Sequence, residues 1–153
     1  METTNLIIRD REPKDIQQEV IYLGIHPELQ ELDPPVGECS NLVFYSVFIR
    51  KPELHIGVCC MYNFTPTEVE IGVRIFIPEY WNKGYGGEVI NALCKYAFTA
   101  FSPIDTVVVK TPVTNTRAIR CYEKCGFVES GRKAVNGYDM VYMKLSKEVW
   151  SEP

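Results

Sequence analysis

Histidine is nearly absent from this 153-residue chain: His26 and His55 are the two copies, in unrelated segments. Six cysteines are present, but none forms a C-x-x-C pair. Cys59 and Cys60 are adjacent in an expected strand and point to opposite faces, and Cys121 and Cys125 lie one helical turn apart with no partner set elsewhere. These gaps argue against a zinc centre and a disulfide framework. The cysteines read as small apolar core residues in a reducing compartment, and no metal is expected. No run of Lys and Arg offers a phosphate-tracking stripe, and the net charge is −4, which argues against nucleic-acid binding. No apolar run approaches the length of a membrane span, and residues 1–10 have no signal-peptide character. A cytoplasmic protein with no membrane partner is the expectation. Repeats, low-complexity tracts and linkers are missing as well. With 46% hydrophobic residues, residues 1–153 form a single domain with a real core.

What is present is a clear alternation of strand and helix patterns. Leu6 to Arg9 reads as a short strand. Residues 13–24 read as a helix with Pro13 in its first turn and apolar Ile16, Val20 and Leu23. Residues 25–37 are broken by Pro27, Pro34 and Pro35 and have room for a second short helix. Three strands follow, over residues 42–50, 56–63 and 69–77, joined by short turns as an antiparallel meander. A long helix carries Val89, Ala92, Leu93, Tyr96, Ala97 and Ala100. Residues 106–110 form a buried strand that a helix separates from 69–77, so those two can run parallel. Residues 127–133 and 138–144 pair around Asn136-Gly137, a strong hairpin signal. These readings support an α+β domain, a mixed sheet with helices on both faces. The exposed edge of the last hairpin offers a place for a second copy, a possible homodimer.

Residues 71–88 carry the most chemistry. An apolar strand runs through a short turn into Gly84-Tyr85-Gly86-Gly87 and then into the long helix. Unpaired N–H groups at a helix N-terminus, the helix dipole and the missing glycine side chains make such a junction a phosphate site. Lys83 adds a positive charge at its mouth. The P-loop pattern is absent, and the dinucleotide pattern G-x-G-x-x-G fails at Val89. Trp81-Asn82-Lys83-Gly84-Tyr85-Gly86 instead resembles the acetyl-CoA-binding motif Q/R-x-x-G-x-G/A of the GCN5-related N-acetyltransferases (GNAT). Trp81 departs from the first position. With Pro78-Glu79 upstream, that departure resembles the RimJ/RimL branch.

A second segment supports the same resemblance. Residues 115–127 match N-x-x-A-x-x-x-Y-x-x-x-G-F through Asn115, Ala118, Tyr122, Gly126 and Phe127. Asn115 is a good N-cap, and Gly126 stands where a left-handed C-terminal stop belongs. Asn115, Ala118 and Tyr122 share one helical face, spanning about 10 Å of rise.

The resemblance covers nearly the whole chain. It implies the GNAT acyl-CoA N-acyltransferase fold: a mostly antiparallel central sheet of about seven strands with splayed strands four and five. It implies acetyl-CoA as co-substrate and a primary amine as acceptor, either a protein N-terminus or a small molecule. Backbone groups of Ile75, Phe76 and Ile77 would bond the pantetheine arm. Asn82, Lys83, Gly84, Tyr85, Gly86 and Gly87 would hold the pyrophosphate, and Asn115, Ala118 and Tyr122 would approach the thioester end. Tyr122 is the candidate general acid, since a phenol is protonated at neutral pH. Glu70, eleven residues before Trp81, is the candidate general base; its alternative is an ion pair with Arg74 at the rim. The position five residues before Asn115, which sometimes carries a glutamate in the family, is Lys110 here. A competing reading is a non-catalytic acyl-CoA-binding regulatory module.

Overall fold

The computed structural model describes residues 1–25, 27 and 39–153. In chain order these form β1 (Leu6–Asp10), α1 (Pro13–Ile25), β2 (Val43–Arg50), β3 (Glu53–Tyr62), β4 (Glu68–Ile75), a single 3-10 turn (Pro78–Tyr80) and α2 (Tyr85–Ala100). Then come β5 (Thr106–Pro112), α3 (Thr116–Lys124), β6 (Val128–Val135) and β7 (Tyr138–Ser146). The expected second helix and His26 lie outside the described residues.

The strands make one seven-stranded sheet in the order β1-β2-β3-β4-β5-β7-β6. Each neighbouring pair is antiparallel except β4 and β5. Those two are joined through α2, and a helical crossover is what a parallel pair needs. The β6–β7 hairpin turns on Asn136 and Gly137, whose φ values of 51° and 82° are both positive, as the tight hairpin turn requires. β6 is the exposed outer edge and carries Arg132 and Lys133.

The parallel pair is short. Glu68, Val69 and Glu70 are in register with Thr106, Val107 and Val108. Beyond that point β4 continues toward Ile75 and β5 toward Pro112 with no further pairing. The two strands part, giving the splayed mixed sheet that the sequence resemblance implies.

The core lies between the sheet and α2. Val69, Ile71, Val107 and Val109 are buried with Val89, Ile90, Leu93, Cys94, Ala97 and Phe98 of α2. The buried face of α2 is therefore rotated from the expected one. Ala92 and Tyr96 are half-buried and Ala100 is exposed, while Ile90 and Phe98 are inside.

α1 departs further. Its buried residues are Asp15 and Glu19, whereas Ile16 and Val20 are 42% and 64% exposed. The reason is electrostatic pairing. Arg9, Ser46 and Arg74 share one sheet face through the registers Arg9↔Ser46, Ser46↔Val58 and Val58↔Arg74. The helix turns its acids to that polar face. Asp15 takes both guanidinium nitrogens of Arg9 at 2.8 and 3.0 Å, the Ser46 hydroxyl at 2.8 Å and the Glu12 N–H at 2.8 Å. Glu19 pairs with Arg11 at 3.2 Å.

Burial alone would raise the Asp15 carboxyl. The bonds from Arg9, the Glu12 N–H and Ser46 outweigh it and hold the group at about 2. A depressed carboxylate adds stability above its unfolded pKa and loses it as the pH falls. We expect about 2 kcal/mol of stability to disappear as the pH drops from about 4 to 2. Asp15→Asn should remove that part of the acid transition in a denaturation series. An unchanged acid limb would contradict the assignment.

Candidate active site

The parting of β4 and β5 opens a cleft of about 1920 Å³. One end is walled by the glycine loop and α3. The other end is walled by α1 and the start of β2. Asn82, Gly84, Tyr85, Gly86, Gly87, Asn115, Ala118, Tyr122 and Ile75 all line it. The chain thus brings most of the residues singled out in the sequence to one place.

The glycine loop has a specific backbone. Asn82 and Gly84 adopt φ of 57° and 85°, a left-handed geometry that Asn tolerates and Gly adopts without cost. Gly84 caps α2 without a side-chain bond, so the first-turn N–H groups lack a capping side chain. A Cβ on Gly86 would meet only the Cys121 Sγ, at 3.8 Å, and one on Gly87 only the sulfurs of Cys125 and Cys121, at 3.8 and 3.9 Å. These are ordinary contacts. Internal packing therefore does not demand glycine at either position. The missing side chains leave a cradle open over the helix N-terminus, which is the shape a phosphate needs.

Trp81 explains its own departure from the motif. Its indole N–H donates to the Ile75 carbonyl at 2.6 Å. Its ring lies 3.9 Å beneath the Arg117 guanidinium. One side chain ties the loop to both the end of β4 and the start of α3. Arg117 was not singled out in the sequence, because a cation–π contact between segments 36 residues apart leaves no local pattern.

α3 begins as expected. The Asn115 side chain accepts the Ala118 N–H at 3.3 Å. Gly126 follows the helix with φ of 96°. Tyr122 is buried to 6% exposure, tilts against Phe127 with ring centroids 6.0 Å apart, and faces the cleft.

Four expected site residues sit elsewhere. The Phe76 side chain is buried against the rings of Tyr22 and His55, and its N–H is spent on the Ile56 carbonyl at 2.9 Å. Strand alternation then turns the N–H groups of Ile75 and Ile77 to the opposite, open side. The Ile77 side chain is itself in the core. Lys83 leans over the Tyr80 ring, 5.6 Å from its centroid, outside the cleft.

Glu70 is the fourth. It is the last residue of β4 in register with β5, and it lies behind the cleft lining. Its Oε2 meets the Lys110 Nζ at 3.4 Å, its Oε1 accepts from Asn63 at 3.3 Å, and Tyr62 is its cross-strand neighbour on β3. Burial, first, and then the Glu70 charge push the Tyr62 phenol up. Lys110, whose side chain is 9% exposed, faces the cleft and lies over the rings of Tyr62 and Tyr142. The alternative pairing of Glu70 with Arg74 does not appear; the partner is a lysine of the neighbouring strand.

Removing one charge from such a pair leaves the other buried alone. We expect Glu70→Gln to cost about 2 kcal/mol, below the range for fully buried pairs because Glu70 keeps some exposure. Adding Lys110→Met should restore part of that loss in denaturant titrations. A single-variant cost under about 0.5 kcal/mol would mean that solvent already screens the pair.

His55, the one described histidine, is structural. Its ring bonds the Gly57 carbonyl at 2.9 Å and stacks on Phe48, and burial pushes its pKa down. Cys59 and Cys94 are core residues as expected. Cys121 and Cys125 are half-exposed and line the cleft. Among the described residues no group of three or more His, Cys, Asp or Glu is placed to hold a metal, and no helix is long and apolar enough to cross a membrane.

A splayed β4–β5 fork, an uncapped glycine-bearing helix start and a second helix with an inward tyrosine define an acetyltransferase domain. Residues 11–128 match the family described as the acetyltransferase (GNAT) domain. The chain belongs to that family. It is 37% identical over 57 residues to a spermidine N(1)-acetyltransferase of Vibrio cholerae, a match covering 37% of this chain and 32% of that protein. The chain thus matches about a third of that relative's length. The structure of a GNAT-family acetyltransferase from Bacillus anthracis superposes with a TM-score of 0.81 at 22% identity, covering 97% of this chain and 98% of that one. That of the aminoglycoside acetyltransferase AAC(6')-Ib with coenzyme A superposes with a TM-score of 0.81 at 18% identity, covering 94% and 96%. At these identities the structures establish the fold.

Proposed function

We propose that this domain transfers an acetyl group from acetyl-CoA to a primary amine, as a member of the RimJ/RimL-like branch. The observation that carries the reading is the open cradle of Gly84, Gly86 and Gly87 at the uncapped start of α2, beside the β4–β5 fork. Those N–H groups hold the pyrophosphate, with Arg117 and Lys124 at the rim. The N–H groups of Ile75 and Ile77 align the pantetheine arm. Acetyl-CoA supplies an already activated thioester, so no enzyme nucleophile is needed. Tyr122 Oη donates the proton that the departing thiolate takes up.

The acceptor end supports a narrower class. Its wall is apolar: Ile16, Val20 and Leu23 of α1 with Leu42 and Phe44. Among the described residues there, Glu19 is the acid, with Arg11 and Arg74 beside it. The apolar wall suits an amine carried on an apolar body. A small molecule and a protein N-terminus both meet this description. Glu70 lies behind Lys110, so it takes the acceptor's proton through water or Lys110 rather than directly. The sign of this route is a Glu70→Gln rate deficit that is largest at low pH. It shrinks as an amine of pKa about 10 loses its proton. A deficit constant with pH assigns Glu70 to stability alone.

The locked Glu70–Lys110 pair also favours the second reading, a cofactor-binding module without turnover. A panel of apolar monoamines, polyamines, aminoglycosides and N-terminal peptides, assayed for release of free coenzyme thiol, separates the two. Turnover of a monoamine or peptide is expected. Binding of acetyl-CoA with no turnover of any amine would leave the module, and preferred turnover of polyamines would contradict the acceptor class.

A further inference from the structure

Two thiols sit beneath the glycine loop, and the transfer reaction does not use them. Cys121 and Cys125 occupy successive turns of one face of α3, and both line the cleft. Their sulfurs are the nearest atoms to the space a side chain on Gly86 or Gly87 would fill, at 3.8 Å. The Cys125 thiol also approaches the Gly87 carbonyl at 3.8 Å. Cations cluster around them: Arg117, Arg120 and Lys124 on the same helix line the same cleft.

We propose that Cys121 is a modification site, taking a mixed disulfide from a small anionic disulfide that enters the phosphate cradle. The Cys121 thiolate attacks one sulfur of the disulfide. The S–S bond breaks, the Cys121–sulfur bond forms, and the other half leaves as a thiolate that picks up a solvent proton. The protein thiol is oxidised and half of the disulfide is reduced, so the electrons balance.

Geometry favours Cys121 over Cys125: the Cys125 thiol is turned to the Gly87 carbonyl, while the Cys121 sulfur borders the space over both Gly86 and Gly87. The neighbouring Cys125 thiol, and then the charges of Lys124 and Arg117, outweigh burial and bring the Cys121 thiol down to about 7. The Cys121 thiol beside it, burial and the sulfur of Cys94 push Cys125 up. The flanking cations draw an anionic reagent as they would draw a phosphate. The adduct should also persist. Side chains at i and i+4 of a helix have Cβ atoms about 5–6 Å apart, whereas a disulfide needs about 3.8 Å. Cys125 therefore cannot close onto Cys121 without unwinding α3, and release waits for an external thiol. While present, the adduct fills the cradle and shuts out acetyl-CoA. This last consequence rests on the glycine-loop reading above; the modification itself does not.

The test is glutathione disulfide on the intact protein at neutral pH, with and without acetyl-CoA, followed by peptide mass spectrometry. Ionisation alone, corrected for the lower nucleophilicity of a low-pKa thiol, gives about a threefold rate advantage over an ordinary thiol. The cationic surroundings should widen it for this anionic reagent. The expected result is a single mixed disulfide at Cys121, slowed by Cys125→Ala and suppressed by acetyl-CoA. A Cys121 rate no greater than those of Cys39 and Cys60 would overturn the site, even if acetyl-CoA binds. A rapid Cys121–Cys125 disulfide would overturn the persistent adduct. An adduct that acetyl-CoA does not suppress would uphold the site and overturn its link to the cofactor cradle.

Discussion

Tyr122→Phe should lower turnover by about 100- to 10,000-fold, the usual contribution of a general acid, while acetyl-CoA affinity stays within about twofold. The ring is what packs: Tyr122 is buried, tilts against Phe127 and belongs to the core cluster. Phenylalanine keeps that ring and removes the hydroxyl alone. Stability should therefore change little, and the loss should fall on the chemical step rather than on binding. Single-turnover rates with a good amine, beside cofactor titrations, measure the two separately. A drop under about threefold with intact binding would return Tyr122 to a packing role.

Gly86→Val carries the second large effect, on binding. The valine Cβ meets only the Cys121 Sγ at an ordinary distance, so folding should be nearly unaffected. The branched side chain fills the space above the first-turn N–H groups of α2, where the pyrophosphate must come close. We expect acetyl-CoA affinity to fall at least about tenfold, or 1.4 kcal/mol. Gly86→Ala provides a sign test. Within the first turn of a helix it should stabilise the free protein by up to about 1 kcal/mol and still weaken the cofactor. A variant that loses stability and affinity in proportion would show that Gly86 serves the fold and not a ligand.

Local signals made much of the architecture legible. Asn136-Gly137 marked its hairpin, Asn115 and Gly126 bounded α3, and the continuous run Val107-Val108-Val109 marked β5. The glycine loop was legible for the same reason: its backbone demands and its chemistry lie in consecutive residues. What was not legible depends on partners distant in sequence. α1 buries Asp15 and Glu19 because Arg9, Ser46 and Arg11 wait on the face it covers. Its apolar residues are left for the cleft. Phe76, just beyond β4, turns its ring to the α1 side because Tyr22 and His55 form a pocket for it. Glu70 looked available because its partner, Lys110, lies forty residues away and meets it only where the two strands part. Lys110 itself was noticed as a missing carboxylate, yet its charge is what fixes Glu70. Cys121 and Cys125 read as core because composition says nothing about which face of α3 meets the glycine loop.

Cofactor recognition by this domain rests on the pyrophosphate cradle. Calorimetric titration of the protein with acetyl-CoA and with acetyl-pantetheine, which lacks the pyrophosphate and nucleotide, tests it directly. The cradle at the start of α2 predicts that the truncated compound binds at least about tenfold more weakly, a difference of 1.4 kcal/mol or more, and that Gly86→Val removes most of this difference. Equal affinity of the two compounds for the unaltered protein would contradict the assignment of the glycine loop.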